Sequence, residues 1–391
     1  MAVNTGSVLA SALRSWARAE APAAADLRAT VALDVGDGEG WTLRLDRGRL
    51  FLASGLIPKA DTLVRTDEDT LVDLIEGRRS GVGAFLDGRL KVRGNLALSL
   101  RLDGLFERPD RPPRFPRSRT VTAGRLRTFF LEAGEGPPVI LLHGLGATNA
   151  SFLPTMWDLA RDHRVLAPDL PGFGDSAKPI RAYRAGFYAR WLSGFMGAAG
   201  VERADLVGNS MGGRVALEMG MDEPDRVDRM ALLAPSPAFI RRREFVRLVR
   251  FLRPELAVLP VPMFHRHVVR GIRFMFARPD RLPDEWYAAA ADEFIRVFRT
   301  GRGRIAFFSA AREIYLEEPY GEDGFWDRLP GMGRPALFVW GERDRLVPAS
   351  FERHVQRAIP NARSVVLPDC GHVPQYELPE RTHELIRGFL G

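Results

Sequence analysis

The sequence predicts an α/β fold with a mostly parallel sheet and a helical cap, preceded by a small α+β domain. Over the last three quarters of the chain, short apolar strands alternate with helical segments, which is typical of a parallel sheet buried on both faces. The first quarter combines alternating strands with helices of its own. A stretch rich in proline and arginine separates the two parts. A chain of 391 residues is long enough for two domains with separate cores.

Residues 1–106 are predicted to form the small α+β domain. Its predicted elements are a helix over 8–18, an antiparallel meander of strands over 29–35, 41–45 and 49–52, a helix over 70–76, a strand over 88–93 and a second helix from Asn95. Asp69 is expected to cap the helix over 70–76, because apolar residues recur at helical spacing directly after it. Helices packed on one face of an antiparallel sheet give an α+β module.

Residues 107–118 are predicted to be a semi-rigid linker, since prolines among basic residues form neither a helix nor a central strand. Residues 119–391 then form the larger domain, with predicted strands over 125–131, 138–142, 164–168, 204–207, 228–234, 335–339 and 364–367. The segment 236–329 interrupts the alternation of strands and helices. It is helical and rich in aromatic residues, so we expect it to form a cap over the edge of the sheet.

Cysteine usage and hydropathy exclude several classes of protein. The single cysteine, Cys370, excludes an intrachain disulfide and a metal site built from several cysteines, and it fits a cytoplasmic location. No apolar run approaches the roughly 18 residues of a membrane-spanning helix. The first residues also lack the apolar region of a signal peptide.

The positive charge of the chain is concentrated in the predicted cap. The net charge is +7, but only three of the 56 basic residues are lysines, which does not favour nucleic-acid binding. The stretch 236–282 contains eleven arginines and three acidic residues, so it alone carries +8. Within it, the segment 241–252 has the pattern of a basic amphipathic helix. Such a helix docks on an anionic membrane or acyl headgroup, or else covers the active site with its arginines solvated.

A nucleophilic serine is predicted at Ser210. The sequence Gly-Asn-Ser-Met-Gly over 208–212 directly follows a predicted strand and precedes a predicted helix. Gly208 and Gly212 suit a strand-to-helix turn that is too tight for side chains, and such a turn exposes the serine hydroxyl at the edge of the sheet.

The base and the acid that a serine nucleophile requires are predicted at His372 and Asp344. Each follows a late predicted strand, so both should emerge at the same carboxyl edge of the sheet as Ser210. Glu342, two residues from Asp344, is an alternative acid. The alternative bases are His143, His163, His265 and His267, none of which ends a late strand.

The loop after the strand over 138–142 is predicted to hold the oxyanion of the reaction. Gly144 and Gly146 allow its backbone to approach a substrate closely. The N–H groups of Leu145 and Met211 are the expected oxyanion donors. His143 is expected to brace this loop rather than to act as a base.

These motifs resemble the α/β-hydrolase family over residues 119–391. The order serine, aspartate, histidine is that of the family's catalytic triad, and the segments 168–176 and 371–377 are similar to two of its loops. The resemblance implies the family's fold and a hydrolytic activity. A serine at the elbow argues against the carboxylate-nucleophile chemistry of the family's epoxide hydrolases and haloalkane dehalogenases. The version Asn209-Ser-Met211 also occurs in its carbon–carbon bond hydrolases.

The N-terminal quarter resembles the sterol carrier protein 2 lipid-binding domain. The residues that carry this resemblance are 84–100, with an acidic and then helical stretch over 66–76 upstream. The resemblance implies an apolar tunnel for acyl chains or sterols between the sheet and the helices. A domain kept only for packing or dimerisation is the alternative.

We predict from the sequence a serine hydrolase that cleaves an ester of a hydrophobic, lipid-like substrate through an acyl-enzyme, without a metal or organic cofactor. One alternative is a carbon–carbon bond hydrolase of a ring-cleavage product. Another is a lipid-carrier protein whose hydrolase fold is idle, and acyl transfer to an acceptor other than water also stays open. The expected partners are a hydrophobic ester or lipid and an anionic membrane surface at the cap. No nucleic-acid partner is expected.

Overall fold

The computed structural model of the chain describes residues 28–36, 40–47, 49–76, 78–79, 81–96, 116–238, 253–258, 262–322 and 324–391, together with Ser11, Leu98 and Val249. The strands are β1 Arg28–Asp34, β2 Gly40–Asp46, β3 Arg49–Ser54, β4 Thr62–Arg65, β5 Lys91–Gly94, β6 Arg117–Ala123, β7 Leu126–Ala133, β8 Pro138–Leu142, β9 Arg164–Pro168, β10 Ala204–Asn209, β11 Val227–Leu233, β12 Ala336–Gly341 and β13 Arg363–Leu367.

The α-helices of this part of the chain are α1 Glu68–Ile75, α2 Gly81–Leu86, α3 Leu153–Leu159, α4 Ala185–Ala198, α5 Met211–Asp222, α6 His265–Phe274, α7 Asp284–Phe298, α8 Gly301–Tyr315, α9 Phe325–Arg328, α10 Glu352–Ala358, α11 Pro374–Glu377 and α12 Pro379–Leu390. No helix within the described residues is both long enough and apolar enough to cross a bilayer.

The N-terminal sheet has the strand order β3-β2-β1-β4-β5. The sequence predicted an antiparallel sheet, but β1 and β4 are parallel, so the sheet is mixed. β4 and α2 were not predicted, because segments of four and six residues are too short to establish a period. The predicted cap at Asp69 was wrong. Asp67 caps α1, and its side chain accepts the N–H of Thr70.

Several predicted elements lie outside the described residues. These are the helix over 8–18, residues 107–115 of the linker, most of the helix from Asn95 and most of the basic segment 241–252. The last two residues of the predicted linker are not linker, since Arg117 and Ser118 begin β6. This strand pairs antiparallel with β7 at the edge of the second sheet.

The second sheet has eight strands in the order β13-β12-β11-β10-β8-β9-β7-β6. It is parallel from β13 to β9 and antiparallel where β7 pairs with β9 and β6. Alternate residues of β8 enter different cores: Val139 packs on one face of the sheet and Ile140 on the other. This two-sided burial explains the continuous apolar runs in the sequence. The carboxyl ends of the parallel strands meet at one edge, where the predicted site residues lie.

The described part of the cap consists of α6 to α9, inserted between β11 and β12. Phe276 and Tyr287 are buried there against Val373 and Tyr376, so these aromatic residues of the predicted cap form part of its core. Phe264, which precedes α6, and Phe274, its last residue, remain exposed.

The N-terminal sheet contacts the cap through its edge strand β5. Asp292 of α7 accepts hydrogen bonds from Arg93 Nε at 2.8 Å and from the N–H of Gly94 at 2.9 Å. Lys91 Nζ donates to Glu285 Oε1 at 3.1 Å. A carboxylate of the cap therefore satisfies a backbone donor at the edge of the sheet.

Candidate active site

The turn between β10 and α5 holds Ser210 in a conformation that few residues adopt. Ser210 has φ 54° and ψ −117°, and only 4% of its surface is exposed. A Cβ at Gly208 would lie 2.5 Å from the carbonyl oxygen of Gly212. A Cβ at Gly212 would meet the carbonyl oxygens of Leu142 and His143. The glycines of the motif are therefore required for α5 to begin this close to β8 and β10.

Backbone hydrogen bonds hold this strained turn in place. The N–H of Ser210 donates to the carbonyl oxygen of Leu233 at 3.0 Å. The carbonyl oxygen of Ser210 accepts the N–H of Arg214 at 3.1 Å and that of Ser236 at 3.0 Å. The turn is thus bonded both to its own helix and to the end of β11.

The structure places Asp344 next to His372. Asp344 Oδ2 lies 2.7 Å from His372 Nδ1, and both side chains are buried. The other carboxylate oxygen accepts the N–H groups of Leu346 at 2.7 Å and Val347 at 2.9 Å. Because an ionised carboxylate only accepts hydrogen bonds, this arrangement puts the proton of a neutral imidazole on Nδ1 and leaves Nε2 as the basic nitrogen. The alternative acid Glu342 is exposed and accepts the N–H of Asp369 instead.

Asn209 connects the histidine loop to the serine turn. Its Nδ2 donates to the carbonyl oxygen of His372 at 3.1 Å and to that of Leu233 at 3.0 Å. Among the hydrogen bonds of the described residues, none joins the side chains of Ser210 and His372. The Ser210 hydroxyl is bonded instead to that of Ser236, with 3.3 Å between the oxygens. A hydrogen bond between a nucleophile and its base often forms only when a substrate is bound.

The loop after β8 approaches Ser210 through its first glycine. A Cβ at Gly144 would lie 3.3 Å from Ser210 Cβ. Gly146 has φ 75°, and a Cβ there would be 2.8 Å from Phe294 and 2.9 Å from Phe307. Leu145, between the two glycines, packs against the core on the Ser210 face of the sheet. The loop that carries the predicted oxyanion donor is therefore enclosed between the nucleophile turn and aromatic rings of the cap.

Met211, the other predicted donor, is the first residue of α5, where N–H groups have no partner within the helix.

His143 is bonded into this loop at both ring nitrogens. Its Nε2 accepts the N–H of Leu170 at 2.9 Å, so Nδ1 carries the proton and donates to the carbonyl oxygen of Gly144 at 2.9 Å. Complete burial lowers the pKa of His143 to about 4, although the bond to Gly144 raises it. His143 is therefore a neutral brace of the loop.

The other alternative bases are bonded or placed elsewhere. His163 pairs with Asp162, and His265 with Asp292. His267 is exposed on α6 beside Phe264.

Glu377 was not predicted, yet it organises the histidine loop. Its carboxylate is 2% exposed and accepts three backbone N–H groups, from Ala277, Arg278 and Gly371, at 2.8 to 2.9 Å. The N–H of His372 donates to the carbonyl oxygen of Met275 at 2.8 Å. The segment that follows α6 and the histidine loop are thus joined by one buried carboxylate. The sequence offered no signal for this role, because the contacts span about a hundred residues.

No group of three or more histidine, cysteine, aspartate or glutamate side chains among the described residues could hold a metal ion. The site is built from hydroxyl, imidazole, carboxylate and backbone groups, which is the set that acyl transfer uses.

Comparisons with known protein families match both parts of the chain. Residues 137–379 match the family described as alpha/beta hydrolase fold. Residues 9–107 match the SCP-2 sterol transfer family.

Similar proteins have several hydrolytic activities. A 2-hydroxymuconate semialdehyde hydrolase of Pseudomonas sp. strain CF600 is 29% identical, over 70% of this chain and 93% of the relative. A pimeloyl-[acyl-carrier protein] methyl ester esterase of Aeromonas hydrophila is 28% identical, over 66% of this chain and 97% of the relative. The solved structure of a bacterial membrane phospholipase A has a TM-score of 0.60 and 28% identity, and covers 71% of this chain and 86% of its own.

The buried His143 should make stability depend on pH. Because its pKa falls to about 4 on folding, from the roughly 6.5 of an unfolded chain, the unfolded state binds a proton first as pH falls. We expect this residue alone to remove about 3 kcal/mol of the free energy of unfolding between pH 7 and pH 4. Urea denaturation of wild type and His143→Gln across this range should show a flatter dependence in the variant. If the free energy of unfolding depended on pH equally in wild type and variant, a neutral, buried His143 would be contradicted.

Proposed function

The chain belongs to the α/β-hydrolase fold family and is a hydrolase with an N-terminal SCP-2 domain, and we propose that it cleaves an ester of a hydrophobic acyl group or alcohol. In this proposal Ser210 is the nucleophile, His372 the general base and Asp344 the orienting acid. The observation that carries it is the 2.7 Å contact between Asp344 and His372 at the sheet edge where the strained Ser210 turn lies.

The proposed mechanism follows from which nitrogen of His372 is basic. Asp344 holds Nδ1–H, so Nε2 takes the proton of Ser210 as the hydroxyl oxygen attacks the acyl carbon. The N–H groups of Leu145 and Met211 bind the oxyanion. The imidazolium then protonates the leaving alcohol, and water releases the acyl group by the reverse sequence. Asp344 stabilises the imidazolium throughout.

The proposal of a hydrophobic substrate rests on the surroundings of the oxyanion loop. Phe294, Phe298, Phe307 and Phe308 of the cap form one aromatic cluster, and two of its rings cover Gly146. Two of the relatives are named as an esterase and as a phospholipase. The carbon–carbon bond alternative is favoured by the 2-hydroxymuconate semialdehyde hydrolase among the relatives. It would use the same three side chains on a ketone.

The triad proposal predicts opposite results for two neighbouring acids. Asp344→Asn should lower kcat on an aryl ester by about 10³- to 10⁴-fold, because the histidine is then held in the wrong tautomer. Glu342→Gln, the matched control, should stay within about twofold of wild type, since the exposed Glu342 carboxylate accepts, within the described residues, only the backbone N–H of Asp369. Ser210→Ala should abolish both turnover and labelling by a fluorophosphonate. Wild-type rates in Ser210→Ala would refute the assignment of the nucleophile.

We further propose that the SCP-2 domain binds the hydrophobic part of the substrate and acts through the cap. The contact between β5 and α7 supports this proposal, since Asp292 bonds the N-terminal sheet while Phe294, on the same helix, contacts the oxyanion loop. If the domain were retained only for packing, breaking its contact with α7 would not change which substrates the enzyme prefers.

Breaking this contact should change chain-length preference. Asp292→Ala removes the acceptor of Arg93 and Gly94, so we expect kcat/KM for a palmitate ester to fall about fivefold or more. The value for a butyrate ester should stay within about twofold. Lys59→Ala, at an exposed turn of the same domain, is the matched control. Equal losses on both esters would count against lipid presentation.

We also propose that the cap docks on an anionic membrane, from a cytoplasmic location that the single, buried Cys370 fits. The predicted basic segment 241–252 lies mostly outside the described residues, but α6 has similar properties. Arg266 and Arg270 are exposed on this helix, and the rings of Phe264, just before it, and Phe274, its last residue, are exposed too. Aromatic residues beside arginines are typical of helices that bind the membrane interface.

Arg266→Ala combined with Arg270→Ala should weaken binding to phosphatidylserine vesicles about 30-fold. Each arginine near an anionic surface contributes about 1 kcal/mol. Arg353→Ala with Arg357→Ala on α10, where both residues are also exposed, makes the same change in charge and should leave binding unchanged. Vesicle sedimentation measures both. Equal weakening by the two pairs would show only a general charge effect and would contradict docking through α6.

A further inference from the structure

Two hydroxyl groups from outside the predicted triad and oxyanion loop lie beside the nucleophile. Ser236 Oγ is 3.3 Å from Ser210 Oγ, and it donates to Tyr315 Oη at 3.1 Å. Ser236 follows β11, and Tyr315 is the last residue of α8 in the cap. All three side chains are buried. A chain of three hydroxyls therefore connects the nucleophile to the cap.

The backbone fixes Ser236 in this position. Its N–H donates to the carbonyl oxygen of Ser210 at 3.0 Å. Ala234, two residues earlier, has φ 43°, which is uncommon for a residue with a side chain. The N–H of Ala234 donates to the carbonyl oxygen of Val339 at 2.7 Å, so this conformation is bonded into the sheet. The strained backbone turns the chain after β11 toward Ser210.

The strand order puts these hydroxyls opposite the oxyanion loop. In the sheet, β10 lies between β8 and β11. Gly144 and Leu145 follow β8, whereas Ser236 follows β11. The two sets of hydrogen-bonding groups therefore approach Ser210 from opposite sides. The attacked carbon of an ester carries two oxygens, so when the carbonyl oxygen lies on the β8 side, the alkoxy oxygen of the leaving group is directed to the β11 side.

Tyr315 is a neutral donor in this site. Burial raises the pKa of its hydroxyl, and this outweighs the opposing effects of the Ser236 and Ser210 hydroxyls; the charge of Asp344 raises the pKa further. Tyr315 therefore keeps its proton during the reaction and acts by hydrogen bonding. The proton that the leaving oxygen needs comes from His372.

The bond between Ser210 and Ser236 must break when Ser210 reacts. When Ser210 turns to give its proton to His372, the Ser236 hydroxyl loses this partner in a buried place, which is unfavourable unless another polar atom replaces it. The alkoxy oxygen of a bound ester is directed to this side and accumulates negative charge as its bond to carbon breaks.

We propose that Ser236 and Tyr315 bind the leaving-group oxygen of the ester, an inference that rests on the proposed function. The Ser210 Oγ–carbon bond forms and the carbon–alkoxy oxygen bond breaks, and the electron pair passes to the alkoxy oxygen. His372 returns to this oxygen the proton that it took from Ser210. Each hydroxyl has one proton, so Ser236 turns its proton from Tyr315 to the leaving oxygen, and Tyr315 donates its own. These two hydrogen bonds stabilise the charge that develops before the proton arrives.

The test uses esters of one acid with leaving alcohols of different basicity, from 4-nitrophenol through phenol and trifluoroethanol to ethanol. The full-length wild type and the variants Tyr315→Phe and Ser236→Ala are compared by kcat/KM. Stabilisation of a charged leaving oxygen matters most when that oxygen is basic. We therefore expect about tenfold or greater loss on the ethyl ester and less than about threefold loss on the nitrophenyl ester. The dependence of rate on leaving-group pKa should be steeper in both variants.

Tyr188→Phe is the matched control. The hydroxyl of Tyr188 is also buried and donates to a backbone carbonyl, that of Pro171, at 3.2 Å. Its loss should leave the leaving-group dependence of wild type unchanged.

A uniform loss across all leaving groups, or no loss, in Tyr315→Phe and Ser236→Ala would overturn the proposal. Fluorophosphonate labelling of Ser210 in each variant shows that the site is folded, so a uniform loss cannot be assigned to misfolding. Absence of ester turnover in the wild type itself would instead refute the proposed function. The two failures are therefore distinguishable.

Discussion

The close approach of α5 to the strand that precedes it is the constraint on which the candidate site depends. Ser210 sits between them at φ 54° and ψ −117°, a sparsely populated conformation that costs about 1–3 kcal/mol for a residue with a side chain. It persists because Gly208 and Gly212 allow the backbone segments to approach closely without side-chain clashes, and because the N–H and the carbonyl oxygen of Ser210 are both hydrogen-bonded. The same crowding brings the end of β8 against the first turn of α5. One tight turn therefore sets the distances among the nucleophile, the oxyanion loop and the Ser236 hydroxyl.

Two buried carboxylates hold the histidine side of the site, and they do so in different ways. Asp344 uses one oxygen for backbone N–H groups and the other for His372, so its bonds orient the imidazole. Glu377 uses both oxygens for backbone N–H groups, two of them in the segment that follows α6. Hydrogen bonds to an ionised group are among the stronger interactions in proteins. The position of the histidine is consequently tied to the position of the cap.

Features that depend on neighbouring residues could be predicted from the sequence, whereas features that depend on contacts between distant segments could not. The central strands are apolar runs, and β8 and β9 have the predicted bounds. The edge strand β6 was not predicted, and its first two residues were assigned to the linker, because its largely polar sequence carries no apolar pattern. The predicted acid and base lie in contact. They could be predicted because each follows the end of a late strand, and those strand ends meet at one edge of the sheet. Glu377, Ser236 and Tyr315 could not be predicted, since their roles arise only from contacts between distant segments.

One helix of the cap connects the N-terminal sheet with the oxyanion loop. Asp292 and Phe294 are two residues apart on α7, so they face nearly opposite sides of the helix. One bonds the edge strand β5, and the other packs on Gly146. Gly146 has no side chain that could change its rotamer if Phe294 moved. A close-packed helix such as α7 moves as a unit rather than bending. A change in the N-terminal sheet that moves α7 would therefore change the space around the oxyanion loop, which gives the SCP-2 domain a direct physical route to the chemistry.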